Sequence, residues 1–411
     1  MKTCVQKFGG SSLISVKQRK QVVDRITSTI NDGYQPVVVV SAMGRAKDPY
    51  ATDTLIELVK EINSDPCLRN MDMLLSCGEI ISAVVLAETL NQLGYTAVAL
   101  TGWQSGIITD ENFGNARILS VNTDLITKLL EEGKIPIVTG FQGCTLSGEV
   151  TTLGRGGSDT TAVALGAALS CDTVEIYTDV DGVKTADPRL IPDAPTISSI
   201  TYQEIMELAH LGTRVIHPRA VEIAMEAGIE LKILGLDQLS CGTIIRKGLS
   251  GRIDPKQISD RVVTGIAQIT GCAHVKISGV EDFNKSHLTL IIFDILATKG
   301  VSVDLIYLSP KLIAFIIDDK MSALVREVLA DLGLNIIVDL GYAKVSVVGA
   351  GMHGVPGVMA RVVRSLDQAN VPIYQTTDSH ANISCLIKEK KLAAAVRALF
   401  DEFELSKEGV N

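Results

Sequence analysis

The 411-residue sequence is most informative first in what it lacks. Its eight cysteines (Cys4, Cys67, Cys77, Cys144, Cys171, Cys241, Cys272 and Cys385) form no C-x-x-C pair, so neither a zinc site nor a disulfide framework is indicated. They read instead as small core residues in a reducing compartment. There is no excess of positive charge: the formal net charge is −9, which excludes a general nucleic-acid binder but not local phosphate binding. No apolar run approaches the ~18 residues of a membrane span, so no membrane association is expected. Met1-Lys2-Thr3 runs straight into a strand pattern without the features of a signal peptide, and a cytoplasmic location is expected. Asp179, Asp181 and Asp187 lack the spacing and terminal Glu of an EF-hand loop. His210 and His217 have no third metal-type ligand nearby and read as capping or packing residues.

What is present supports large buried cores: 46% hydrophobic and 21% charged residues over a length that predicts two or three domains. The stretch that organises the chain is Thr151-Thr152-Leu153-Gly154-Arg155-Gly156-Gly157-Ser158-Asp159-Thr160-Thr161, followed by the apolar helix former 162–169. Glycines let backbone N–H groups approach a bulky anion. Ser158 or Asp159 is placed to cap the helix, and the helix start favours negative charge. Arg155 adds a planar fork for a carboxylate or phosphate. The alternative is a tight turn between two elements.

Upstream, strand 3–8 ends in Gly9-Gly10-Ser11-Ser12, placing Lys7 where it can reach a ligand over a strand edge; a surface lysine is the alternative. A helix with Val22, Val23, Ile26 and Ile30 on one face and the buried strand 36–41 follow, and Thr52 or Asp53 is placed near the next cap. A helix over 74–93 carries Glu79 in an apolar neighbourhood, where a carboxylate needs a partner: a ligand ammonium or an internal salt bridge. Strands at 95–100, 135–139 and 173–177, a hairpin turning near Ser147-Gly148, and the loop 178–189 complete a βα alternation. This predicts an α/β domain, a mostly parallel sheet covered by helices on both faces, over residues 1–245.

Residues 246–262 read as a linker. Beyond it an internal repeat appears with an offset of 70 residues: Val301–Ile306 against Val371–Thr376, Val275–Ile277 against Val345–Val347, and Phe315–Ile317 against Cys385–Ile387. Each copy reads as a small ferredoxin-like sandwich, 263–341 and 342–411. Gly349-Ala350-Gly351-Met352-His353-Gly354 fits a dinucleotide fingerprint, but too few residues follow for such a domain. A backbone nest for an amino-acid carboxylate is the preferred reading.

Four stretches together (Lys7–Ser12, Gly154–Asp159, Thr178–Val183 and Thr185–Arg189) resemble the aspartokinases of the amino acid kinase superfamily. His217-Pro218-Arg219-Ala220 and a duplicated C-terminal half of the ACT type agree. Met43–Arg45, Asp48–Asp53, Gly354–Val358 and Asp378–His380 look like the diaminopimelate-sensitive, monofunctional aspartokinase I type. The resemblance implies transfer of the ATP γ-phosphoryl group to the β-carboxylate of L-aspartate, the first step toward lysine, threonine and methionine, with feedback by an end-product amino acid. It implies that Lys7 neutralises the phosphoryl group and is oriented by Asp159. Phe8, Gly9, Gly10, Ser11, Ser41, Thr178, Asp179, Lys184, Arg189, Arg214 and Val215 would meet ATP, and Mg²⁺ would bridge its phosphates. Arg155, Gly156, Gly157, Ser158, Thr52, Glu79 and Phe141 would hold aspartate. Two departures stand out. Position 214, often lysine in relatives, is Arg214, and the turn 281–287 lacks the usual glycine. The second departure moves the expected effector contact (lysine, threonine or diaminopimelate) to Met352, His353, Gly354, Val355, Pro356 and Gly357. A homodimer through the ACT repeats is implied as well. The alternatives are a non-catalytic amino-acid sensor and a kinase of the same fold for another carboxylate such as glutamate or carbamate.

Overall fold

The computed structural model describes residues 2–213, 215–236, 242–247, 262–279, 285–350, 352 and 355–407. The chain divides into two compact units. The first holds Met1–Val183, Thr196–Ala209 and Arg214–Gln257; the second holds Lys184–Pro195, His210–Thr213 and Ile258–Asn411.

In the first unit the elements are β1 (Lys2–Phe8), α1 (Val16–Asn31), β2 (Tyr34–Val40), α2 (Thr52–Lys60), α3 (Leu68–Gln92), β3 (Ala97–Leu100), β4 (Ile107–Thr109), β5 (Ile118–Val121), α4 (Asp124–Glu131) and β6 (Ile135–Thr139). They continue with β7 (Gln142–Cys144), β8 (Val150–Thr152), α5 (Gly157–Ala168), β9 (Thr173–Thr178), β10 (Ser199–Thr201), α6 (Tyr202–His210), α7 (Pro218–Ala227), β11 (Glu230–Gly235) and β12 (Thr243–Arg246). Eight strands form one sheet in the order β10-β12-β11-β9-β1-β2-β6-β3, parallel throughout except for β11 against β12. The smaller sheet β5-β4-β7-β8 carries the hairpin.

The register aligns the carboxyl ends of four central strands. Phe8 pairs with Val40 and Tyr177, and Val40 pairs with Thr139. Side chains alternate along β1. Phe8 is fully buried in the core that α1 and α3 share, where its ring stacks on Tyr177 at 4.7 Å. Lys7, one residue earlier, turns to the opposite face and meets α5. Helix α1 starts at a capping box in which Ser15 and Gln18 satisfy each other's backbone amides.

Helix α3 corrects the reading of apolar runs. It is 25 residues long, and an 18-residue window has mean hydropathy 1.7, enough by length and composition to cross a membrane. Half of that window is buried inside the protein, where Ala83, Leu86, Ala87 and Leu90 pack into the core with α1. It is the core helix of this unit, and it starts at Leu68, earlier than the 74–93 expected.

The second unit contains β13 (Gly265–Ser278), α8 (Lys285–Thr298), β14 (Asp304–Leu308), β15 (Leu312–Asp318), α9 (Ser322–Leu329), β16 (Asn335–Val348), α10 (Val358–Gln368), β17 (Gln375–Asp378), β18 (Asn382–Lys388) and α11 (Leu392–Glu402). The repeat is exact in register: β13 and β16, like β15 and β18, start 70 residues apart. The copies share one antiparallel sheet, β14-β15-β13-β16-β18-β17, joined along the two 14-residue strands β13 and β16. The unit's two largest described hydrophobic cores interleave along the chain. Ala273 to Val338 form one. Val263 and Ile266 join Ala343–Leu405 in the other, together with Ala186, Ile191 and Ala194.

Candidate active site

The site is assembled at the aligned strand ends of the first unit. Lys7 Nζ lies 2.7 Å from Asp159 Oδ1, with both side chains nearly buried. Beyond Lys7 the chain makes a tight 3-10 turn, Gly10–Ser12. The amide of Gly9 donates to Tyr177 O at 3.3 Å, and those of Gly10 and Ser11 stand in the first positions of the turn, where a helix start leaves N–H groups without intrahelical partners. A Cβ on Gly10 would sit 2.1 Å from Ala42 O, so only glycine lets the two strand-end loops close together. Ser41 is tied to β1 through its amide, which donates to Phe8 O. Phe8 itself offers only backbone here, because its ring is in the core.

Helix α5 begins differently from the sequence expectation. Its N-cap is Gly156, left-handed at φ 67°, and makes no side-chain cap. Ser158 and Asp159 are instead the second and third residues of the helix, in the first turn, where a carboxylate is favoured by the helix dipole. A Cβ on Gly156 would meet His217 at 2.2 Å, and one on Gly157 would meet Phe141 at 2.8 Å. His217 caps α7 through its ring, accepting from Arg219 N, and Arg219 donates to Leu153 O and Ala116 O. The capping role read for His217 is therefore what the structure shows, and Arg219 braces the loop. Arg155 projects from this braced loop, exposed, with no hydrogen bond or ion pair among the described residues. Ser158 packs against Gly140, the residue just after β6. Phe141 follows at φ 68°, its amide on Thr161 Oγ1 and its carbonyl accepting from Leu153 N.

Glu79 is 2% exposed. Its Oε1 accepts from Ala42 N at 2.9 Å, while Oε2 has no partner. Burial pushes its carboxyl up to about 8, against the pull of the Ala42 amide. No internal cation answers it among the described residues. Gly78 makes this approach possible, since a Cβ there would lie 2.8 Å from that of Ala42. Thr52 is the first residue of α2; Ala51 holds the N-cap position, with no side-chain cap.

The nucleotide-side residues divide. Thr178 ends β9 and donates to Asp179, whose carboxylate pairs with Arg45 at 2.7 Å on the surface. Val215 is half-buried just before α7. Arg214 lies outside the described residues. Lys184 and Arg189 belong to the second unit, and the Arg189 fork is closed on Asp187, which also accepts from Gln268. That engagement holds the Asp187 carboxyl below its usual range and occupies Nε and Nη2 of the exposed Arg189 side chain.

In the second unit Met352 is 6% exposed and part of the core around Val358 and Leu399, so its side chain is not available to a soluble effector. Val355, Pro356 and Gly357 are exposed, with Gly357 left-handed at φ 95° as the cap of α10. His353 and Gly354 lie outside the described residues, as do most of the linker and residues 281–284. Gly349 has a packing reason, because a Cβ there would meet Val262 O at 2.2 Å.

Comparison with known proteins identifies the family. Residues 2–235 match the amino acid kinase family, and residues 337–401 match an ACT domain. The aspartokinase of Geobacillus stearothermophilus is 43% identical over 410 residues, 98% of each chain. Aspartokinase 1 of Bacillus subtilis (strain 168) is 41% identical over 407 residues, 99% of this chain and 100% of that one.

The chain belongs to the aspartokinase family.

Its activity is accordingly that of an aspartate kinase, a phosphotransferase with a carboxyl group as acceptor. The aspartokinase fold extends to E. coli aspartokinase III, solved in complex with aspartate and ADP. That structure superposes with a TM-score of 0.76 at 24% identity, over 98% of this chain and 99% of that one. One residue beside this site escaped sequence reading: Asp72, buried on α3 and bonded to the hairpin that carries the Arg155 loop. Its signal was a carboxylate inside the apolar run 71–75, seven residues before Glu79 and hence on the same helical face.

Proposed function

We propose that this site transfers the γ-phosphoryl group of ATP to the β-carboxylate of L-aspartate, and that substrate and phosphate are divided among the residues as follows. A carboxylate with a pKa of about 3.9 is already ionised at neutral pH, so the acceptor needs no general base. The obstacle is the approach of one anion to another, so catalysis rests on alignment and charge neutralisation. Lys7 meets the transferring phosphoryl group, and the amides of Gly10 and Ser11 receive its oxygens. Asp159 keeps Lys7 pointed over the strand ends through their 2.7 Å ion pair. Arg155 takes the α-carboxylate, with Thr52, Phe141 and Ser158 alongside. Glu79 takes the α-ammonium. Thr178, Asp179, Ser41 and Val215 line the nucleotide side within the first unit.

The observation that carries the choice of an amino acid as acceptor is Glu79: a buried carboxylate with one orphaned oxygen, next to the loop that closes over Gly10. A same-fold kinase for an acceptor without an amino group would leave that oxygen unanswered. No group of three His, Cys, Asp or Glu side chains able to hold a metal lies among the described residues. Mg²⁺ is therefore assigned to the phosphates of the nucleotide, where it would neutralise charge on the departing ADP.

The ACT half supports regulation by an amino acid. E. coli aspartokinase III has also been solved in complex with lysine and aspartate. We assign the effector to lysine, threonine or diaminopimelate, meeting the exposed Val355–Gly357 turn, and the assembly to a homodimer through the ACT repeats. Arg155→Ala and Glu79→Gln test the substrate assignment. Each should raise KM for aspartate at least tenfold and leave KM for ATP within twofold. Unchanged aspartate kinetics in both would remove it.

A further inference from the structure

Asp72 is 1% exposed and has no cation beside it among the described residues. Its charge is met by three hydrogen bonds. Oδ2 accepts from Thr152 N at 2.8 Å and from Gly114 N at 2.9 Å, and Oδ1 accepts from Thr152 Oγ1 at 2.6 Å. Thr152 is the last residue of β8, three residues before Arg155. Thr152 O in turn accepts from Ala116 N, and a Cβ on Gly154 would sit 2.8 Å from Asn115 Oδ1, so the Gly114–Ala116 turn lies directly against the loop.

Asp72 is one of a row on α3. Arg69 reaches Glu149 near the hairpin tip at 2.6 Å, the carbonyl of Ser76 accepts from Gln142 Nε2 at 2.9 Å, and Glu79 accepts from Ala42 N. Positions 69, 72, 76 and 79 are spaced by three, four and three, one face of a helix. That face is polar here and apolar further along, at Ala83, Leu86, Ala87 and Leu90. One rigid helix therefore presents Glu79 to the site and, two turns earlier, holds the strand from which Arg155 springs.

We propose that Asp72 is a positioning residue for the aspartate α-carboxylate. By fixing Thr152 and Gly114 it sets the distance between Arg155 and Glu79, and so the separation of carboxylate and ammonium that the site accepts. This rests on the assignment of Arg155 to the α-carboxylate. Asp72 touches no substrate, so its effect passes wholly through the loop. Displacing a substrate-orienting group by a fraction of an ångström to an ångström costs up to about a hundredfold in rate or affinity.

The test is a double-mutant cycle in the full-length chain, read as KM for aspartate and for ATP. Asp72→Ala should raise KM for aspartate about tenfold or more and leave KM for ATP within about twofold. Asp72→Asn should recover most of the loss: its amide oxygen can accept from both backbone amides, and its NH₂ can donate to Thr152 Oγ1. In an Arg155→Ala background Asp72→Ala should add nothing further. If Asp72→Ala does not fold, Thr152→Val removes one of the three bonds and should give a smaller rise, again absent without Arg155. An unchanged KM for aspartate in Asp72→Ala, with a raised one in Arg155→Ala, overturns the proposal alone. So does a full multiplicative loss in the double variant. An unchanged KM in Arg155→Ala itself overturns the assignment beneath it.

Discussion

Lys7 and Asp159 are 152 positions apart in the chain and 2.7 Å apart in space, one at the end of β1 and the other in the first turn of α5. The pairing brings the Gly-rich end of the first strand and the Arg155 loop to one point. Lys7→Met should lower kcat by about a thousandfold or more with the fold intact, since it removes the charge set against the transferring group. Asp159→Asn should lower kcat less steeply, because the ammonium remains but loses its direction. A coupled ADP-release assay with circular dichroism as the fold control measures both; near-native turnover in Lys7→Met would refute the role.

The buried carboxyl of Glu79 makes aspartate binding depend on pH. Burial raises its value from the ordinary 4.5 to about 8, so at neutral pH the empty site holds a proton that must leave when an ammonium arrives. KM for aspartate should therefore fall as pH rises toward about 8 and level off above it, and Glu79→Gln should flatten that dependence. The sign for stability is opposite. The folded state binds this proton more tightly than the unfolded chain, so Glu79 costs nothing below about pH 4.5 and destabilises progressively as pH rises to about 8. In thermal melts, Glu79→Gln should gain on the native chain with rising pH between those limits; a constant difference in Tm would contradict the burial effect.

Gly156 combines a left-handed backbone with a steric wall. Gly156→Ala adds a strained φ, costing on the order of 1 kcal/mol, and a Cβ driven into His217. The expected result is a lower Tm together with a raised KM for aspartate, since Arg155 is its neighbour. Gly148→Ala, at the hairpin tip with open space around it, is the control; it should carry only the backbone cost.

Much of this was legible in the residues because backbone chemistry leaves marks in sequence. Gly10 after Lys7 and the glycines of the Gly154–Gly157 loop stand where a Cβ would clash, and the Pro after His217 sits at the helix start that favours it. Buried polar positions were less legible. Asp72 reads like any carboxylate until the helix is seen to begin at Leu68, and Met352 reads as part of a glycine turn although its side chain belongs to a core. Asp159 has the composition of a helix cap, but its oxygen is taken by a lysine from a distant strand. The C-terminal repeat was visible at its 70-residue period. The sharing of one sheet was not, because pairing between β13 and β16 depends on two long strands meeting across copies that local patterns treat as separate.

Regulation gives a further expected outcome. Titration of activity with lysine, threonine and diaminopimelate should reveal inhibition by at least one of them, and sedimentation at micromolar chain concentration should report a dimer. Activity unaffected by all three would contradict the effector assignment, and a monomer would contradict the assembly.

The most direct measurement is trapping of the acyl phosphate. The full-length chain, incubated with ATP, Mg²⁺, L-aspartate and hydroxylamine, should form aspartyl β-hydroxamate in an amount that tracks ADP release, and the signal should vanish in Lys7→Met. No hydroxamate at millimolar aspartate from a folded chain would contradict the account.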